Sequence, residues 1–103
     1  MEARIGQQIR AQLEAVYGSR LEGIILYGSE ARGEAGPDSD IDILVVLRGP
    51  VRLWQDICTC LQALLPLGLA LGRPISPKPV DADAFRQTSW PLYENAKREG
   101  VRI

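Results

Sequence analysis

Apolar residues fall at helical spacing in the first part of the chain, where Ile5, Ile9, Leu13 and Val16 sit between polar neighbours until Gly18-Ser19 breaks the pattern. That spacing predicts an amphipathic helix over residues 2–17 with one face laid on a sheet. The pattern then changes. Residues 21–27 and 40–47 are short runs rich in Ile, Val and Leu, bounded by turn residues, and predict two well-buried strands. After the turn Arg48-Gly49-Pro50, the residues Leu53, Ile57, Leu61, Leu64 and Leu65 make a wide apolar face that Trp54 and Cys58 extend. A second helix follows from it, bent or ended by Pro66 and Gly68. Trp54 is read as core or as a partner contact.

Gly72-Arg73-Pro74 breaks the chain before residues 75–80, a third strand. Pro77 and Pro79 cannot donate a ladder hydrogen bond, which puts this strand at a sheet edge. Beyond it, Asp81-Ala82-Asp83 reads as the start of a short helix over 82–87, its acids capping free amides. A break at Ser89-Trp90-Pro91, a helix over 92–98 ended by Gly100, and a final strand from Val101 complete the chain. Trp90, Leu92 and Tyr93 either close the core or, if exposed, form a contact surface.

Composition narrows the class. At 103 residues, with 46% hydrophobic and 24% charged residues, the chain reads as one domain over 1–103, with room for a modest core and none for a separate substrate domain. Its start is charged and does not read as a signal peptide, and the apolar stretch 61–71 is interrupted by Gln62, Pro66 and Gly68 and is too short to span a bilayer. Cys58 and Cys60 are badly spaced for a mutual bridge, and there is no histidine to complete a zinc site, so reduced thiols and a cytoplasmic setting are expected. A net charge of -1, with no basic run, leaves no electrostatic footprint for duplex nucleic acid.

The chemistry lies at the ends of the first two strands. Side chains alternate along a strand, so Asp40 and Asp42 project to the same side, about 7 Å apart along the chain. Carboxylates that close raise one another's pKa unless a cation stands between them, and hard oxygen donors suit Mg²⁺, which takes one or two protein carboxylates and fills its other positions with waters and phosphates. Gly28 lets the backbone approach a ligand, and Ser29 can open a short helix whose free N–H groups and hydroxyl face an anion. Each has a plainer reading: Gly28-Ser29 as a turn with an N-cap, Gly36-Pro37-Asp38-Ser39 as a loop, Asp40 as its cap. An aspartate inside an apolar strand is harder to explain without a site, because it runs against strand preference. Asp38 is read as a solvated turn residue, and Arg32 as either a phosphate contact or a brace for the loop.

Gly28-Ser29, ten further residues and then Asp40-Ile41-Asp42, set between two apolar strands, resemble the signature of the DNA polymerase beta-like nucleotidyltransferase superfamily. The longer strings Gly28-Ser29-Glu30-Ala31-Arg32-Gly33 and Ser39-Asp40-Ile41-Asp42-Ile43-Leu44-Val45 resemble its minimal nucleotidyltransferase branch. The resemblance implies an α+β (α/β) nucleotidyltransferase fold, a small mixed sheet of three or four strands flanked by helices. It implies Gly28, Ser29 and Arg32 at the nucleotide, Asp40 and Asp42 as catalytic Mg²⁺ ligands, and transfer of a nucleoside monophosphate, AMP from ATP or its counterpart from another NTP, to an acceptor hydroxyl. Stand-alone domains of this kind resemble antitoxins of helical HEPN ribonuclease toxins, which implies a protein partner and acceptor. The superfamily's third carboxylate position falls at Ser76, with Lys78 on the same strand face. Neither is an acid. Asp81 is read as a helix cap, its return to the metal being the lesser alternative. Two other readings stay open: a weakened or inactive domain that neutralises a partner by binding it, and transfer to a small molecule such as an aminoglycoside, which would need a pocket built from more chain.

Overall fold

The structure is a computed structural model that describes residues 2–36 and 39–103. The part of the loop reading that falls on Pro37 and Asp38 lies outside those residues. Helix α1 (Ala3–Tyr17) leads through a short 3-10 turn into strand β1 (Leu21–Tyr27) and a single helical turn, α2 (Gly28–Ala31). Strand β2 (Ile41–Leu47), the long helix α3 (Leu53–Leu71) and strand β3 (Ile75–Asp81) follow, then α4 (Ala82–Gln87), α5 (Pro91–Glu99) and the two-residue strand β4 (Val101–Arg102). The sheet runs β3-β2-β1-β4, so the proline-bearing β3 is an edge strand, as expected. β1 is antiparallel to β2 and β4, while β2 and β3 are parallel and joined by α3. The sheet is therefore mixed.

Both faces of this sheet are covered, which explains why β2 reads as a continuous apolar run rather than an alternating one. Ile24, Leu26, Ile41, Ile43, Val45 and Leu47 pack on one side with Ile9 and Leu13 of α1 and Cys60 and Leu64 of α3. Ile25, Leu44, Val46 and Val80 pack on the other with Ala82 and Phe85 of α4 and Tyr93 and Ala96 of α5. Tyr93 is in the core, with Trp90 stacked on it from outside (ring centroids 5.4 Å apart, Trp90 exposed).

Two details of the helices differ from the sequence pattern. The buried row of α1 is Gly6, Ile9, Leu13 and Tyr17, with Val16 turned to solvent. In α3 the buried row is Asp56, Cys60 and Leu64, whereas Leu53, Leu61, Leu65 and, at 76% exposure, Trp54 face outward. A buried carboxylate sets this rotation. The Tyr17 hydroxyl donates to Asp56 Oδ1 (3.0 Å), the Arg52 backbone N–H donates to Asp56 Oδ2 (3.0 Å), and the Arg20 guanidinium lies 3.5 Å from Oδ1. A carboxylate with these donors can be buried, and its place in the pattern is invisible to a count of apolar residues.

Pro66 does not end α3, which continues for five more residues to Leu71. Pro66 and Gln62 are both exposed, so the carbonyl that loses its helical partner has water to bond. The helix stops instead at Gly72, whose φ of +69° makes the left-handed cap, with the Arg73 N–H returning to the Gly68 carbonyl at 3.2 Å. By length and composition this 19-residue helix is long and apolar enough to cross a bilayer, more than the interrupted run 61–71 suggested. Cys58 and Cys60 are both free thiols.

Burial, together with the contacts to Cys60 and Asp56, pushes the Tyr17 phenol far above its ordinary value of 10.0. A raised folded-state pKa means that this contribution to stability is complete below about pH 10 and is lost as the pH rises beyond it. Tyr17→Phe is therefore expected to lower stability at pH 7 by about 1 kcal/mol and to make the alkaline fall in melting temperature shallower. Thermal melts between pH 7 and 11 check both effects.

Candidate active site

Because β1 is antiparallel to β2 and β3 is parallel to it, the end of β1 and the starts of β2 and β3 meet at one end of the sheet. In the ladder Asp42 lies between Tyr27 of β1 and Ser76 of β3. The even positions of β2 face the α4–α5 layer: Leu44 and Val46 are sealed beneath it, and Asp42, next in the row, is half-buried. Asp40, exposed, stands just before the strand.

Burial pushes the Asp42 carboxyl above its usual range, repulsion from Asp40 adds to this, and the Lys78 ammonium on the neighbouring strand opposes it. Burial, reinforced by the Asp42 charge, likewise raises the Tyr27 phenol. A carboxylate whose charge is disfavoured by burial and by a second carboxylate nearby makes a local demand for a cation. Among the described residues no group of three or more His, Cys, Asp or Glu comes together as a closed metal cage. A pair of hard oxygen donors without a third protein ligand fits Mg²⁺, whose remaining positions go to water and substrate phosphate.

Gly28 follows Tyr27 with φ of +73°, and a Cβ there would stand 2.8 Å from Asp42 Oδ2. The left-handed backbone favours glycine, and an added Cβ would push the Asp42 carboxylate aside. Ser29 is half-buried in α2, its carbonyl accepting the Glu34 N–H at 2.9 Å. Arg32 caps the end of this turn and directs its Nε to Glu34 (3.2 Å) on the surface. The structure thus brings Gly28, Asp40 and Asp42 together and gives Arg32 a local partner.

Ser76 pairs directly with Asp42, so the position at which the resemblance implies a third acid is beside the pair and holds a hydroxyl. Asp81 ends the same strand five residues further on, opposite Leu47, and its Oδ1 accepts the N–H groups of Asp83 and Ala84 at 2.9 and 3.1 Å. It is the helix cap of α4, and about 16 Å of strand separate it from Ser76.

Arg73 escaped notice in the sequence, where Gly-Arg-Pro reads only as a turn. It ion-pairs with Glu30 of α2, and its Nε donates to the Ser39 carbonyl at 2.9 Å. The two side chains are 15% and 8% exposed. Burial alone would raise the Glu30 carboxyl, but its charged partners, Arg73 first among the side chains, hold it below its usual range.

Residues 7–98 match the family model described as a nucleotidyltransferase domain. The chain belongs to the nucleotidyltransferase domain family. It is 34% identical over 89 residues, 85% of its own length and 83% of the relative's, to a Methanocaldococcus jannaschii protein named as a candidate protein adenylyltransferase. A solved toxin-antitoxin complex with AMP-PNP contains a chain with 25% identity and a TM-score of 0.65, matched over 94% of this chain and 70% of that one. The toxin-antitoxin MntA-HpeT in a mutant form is similar in fold at 22% identity and a TM-score of 0.64, over the same shares of the two chains. The spectinomycin adenyltransferase AAD(9) of Enterococcus faecialis, solved with ATP and spectinomycin, shares the fold at 20% identity and a TM-score of 0.74, over all of this chain but only 56% of that one. The family match and the 34% identical relative make this a nucleotidyltransferase-type enzyme.

Gly28 and Gly33 share a φ of +73°, but a Cβ at Gly33 would meet nothing within 4 Å. Replacing either glycine with alanine incurs about 1–2 kcal/mol of left-handed strain. Gly28→Ala is expected to cost about 1 kcal/mol more than Gly33→Ala, because it also displaces the Asp42 carboxylate from a packed position. Urea midpoints of the two variants measure the difference, and equal midpoints would show that Asp42 is not held against Gly28.

Proposed function

We propose that this enzyme transfers AMP from ATP to a hydroxyl of a partner protein in a Mg²⁺-dependent reaction, and that the partner is a HEPN-type toxin for which this chain acts as the antitoxin in the cytoplasm. The observation that carries the chemistry is Asp42: a carboxylate near the start of an otherwise apolar buried strand, repelled by Asp40 and close against the glycine of a Gly-Ser turn. The names of the relatives support the rest. One is named for protein adenylylation, and others are solved as toxin-antitoxin assemblies, one with an ATP analogue.

In this reading the Gly28 and Ser29 turn holds the terminal phosphates of the nucleotide, and Arg32, freed from Glu34, adds a positive charge at their edge. Asp40 and Asp42 hold Mg²⁺, which when bound neutralises charge on the transferring group and lowers the pKa of the acceptor hydroxyl. The acceptor oxygen bonds to the α-phosphorus, the α–β phosphoanhydride bond breaks, pyrophosphate leaves, and the acceptor proton passes to solvent. Ser76 carries no negative charge with which to take that proton. Slow turnover follows, which suits the marking of a partner held in a complex rather than repeated processing of a free substrate.

The same serine favours one competing reading, a nucleotidyltransferase-fold module that silences its partner by binding alone. Incubation with Mg²⁺, α-phosphate-labelled ATP and a lysate of the source cell separates the two. Intact protein is expected to label one protein band, and Asp40→Asn with Asp42→Asn to lower the signal at least 100-fold, about the scale of losing a central electrostatic group. A partner captured without any label would establish the binding module instead. Ser76→Asp is expected to increase the rate of labelling in the active protein.

A further inference from the structure

The two halves of the site lie about ten residues apart in sequence and are joined in space by one side chain from elsewhere in the chain. Arg73 belongs to the turn between α3 and β3, held by the left-handed Gly72 cap on one side and on the other by the Ile41 N–H, which donates to the Pro74 carbonyl at 2.9 Å. From there the guanidinium reaches two acceptors at once. One is the carboxylate of Glu30, the neighbour of Ser29, and the other is the backbone carbonyl of Ser39, the neighbour of Asp40.

We propose that Arg73 is a positioning residue that sets the distance between the phosphate-holding turn at Gly28 and Ser29 and the metal-holding pair Asp40 and Asp42. The inference rests on the adenylyltransferase reading and deepens it. Guanidinium donors are arranged in a rigid fork, so bonds to two acceptors fix where those acceptors stand relative to each other. A lysine has the same charge on a flexible stem and lacks this rigid, planar geometry. Burial matters here as well: the pair is shielded from water, so it is screened less and holds its geometry better than the exposed Arg32–Glu34 pair nearby. Metal and phosphate must be held in register for nucleotide and Mg²⁺ to bind as a unit, and a 1 Å misplacement costs on the order of 100-fold in reactions of this kind.

The test is the ratio of ATP affinities with and without Mg²⁺, measured by calorimetry on the full chain. Wild-type protein is expected to bind ATP much more tightly with Mg²⁺. Arg73→Lys is expected to keep a wild-type circular dichroism spectrum, with a melting temperature within a few degrees, and to lose about tenfold of that ratio while metal-free binding changes little. Arg20→Lys changes an arginine at the Asp56 contact, away from the site, and is expected to leave the ratio intact. Should Arg73→Lys fail to fold, Glu30→Gln keeps the side-chain size, removes the charge from one arm of the fork, and is expected to lower the ratio in the same way. A wild-type ratio in either folded variant overturns the positioning role. A wild-type protein whose ATP binding ignores Mg²⁺ fails the adenylyltransferase reading itself, before any variant is compared, and the inference falls with it.

Discussion

Side chains alternate along β2, and that alternation governs both the core and the place of the candidate site. Odd positions enter the core under α1 and α3, and even positions enter the core under α4 and α5. A charged residue in such a strand has to sit where one of those layers thins, and Asp42 lies at the strand's beginning, next in the row after Leu44 and Val46. The sheet's directions then determine its neighbours. With β1 antiparallel and β3 parallel to β2, the Gly-Ser turn and the start of β3 come to the same end as Asp42. The strand's apolar residues enter both halves of the core, and its place in the sheet sets where the Asp42 carboxylate stands.

Two carboxylates held by arginines and other donors support that geometry. The Tyr17, Arg52 and Arg20 donors around Asp56 secure α3 against α1, so α3 delivers the turn at Gly72-Arg73 to the edge of the sheet. Arg73 then ties the loops around the site together. In both cases a buried carboxylate is accepted because donors stand around it.

Much of this was legible in the sequence. The strands at 21–27 and 40–47, the second one residue shorter in the structure, and the edge position of the third strand followed from short apolar runs, turn residues and the two prolines. Gly28, Asp40 and Asp42 stood out because each contradicts its surroundings: a glycine ending a strand, and acids opening an apolar one. Helix rotation was not legible. The face of α3 was assigned by counting leucines, yet Asp56 decides it through hydrogen bonds to residues distant in sequence, and Leu61 and Leu65 remain exposed. Of the two readings at Pro66, a bend or an end, the structure removes the end, because the local rule ignores where the unbonded carbonyl points. Arg73 was invisible for a similar reason, since its meaning lies in two acceptors 43 and 34 residues away.

In the proposed reading Asp40 and Asp42 form half of a metal seat whose other half arrives with the nucleotide. The most direct measurement is a titration with Mn²⁺, a paramagnetic stand-in for Mg²⁺, followed by water-proton relaxation in the absence and presence of a non-hydrolysable ATP analogue. Weak binding of the metal alone, strong binding with the nucleotide, and loss of that gain in Asp42→Asn are the predicted results. Metal binding that ignores the nucleotide, or that persists unchanged in Asp42→Asn, would contradict the account.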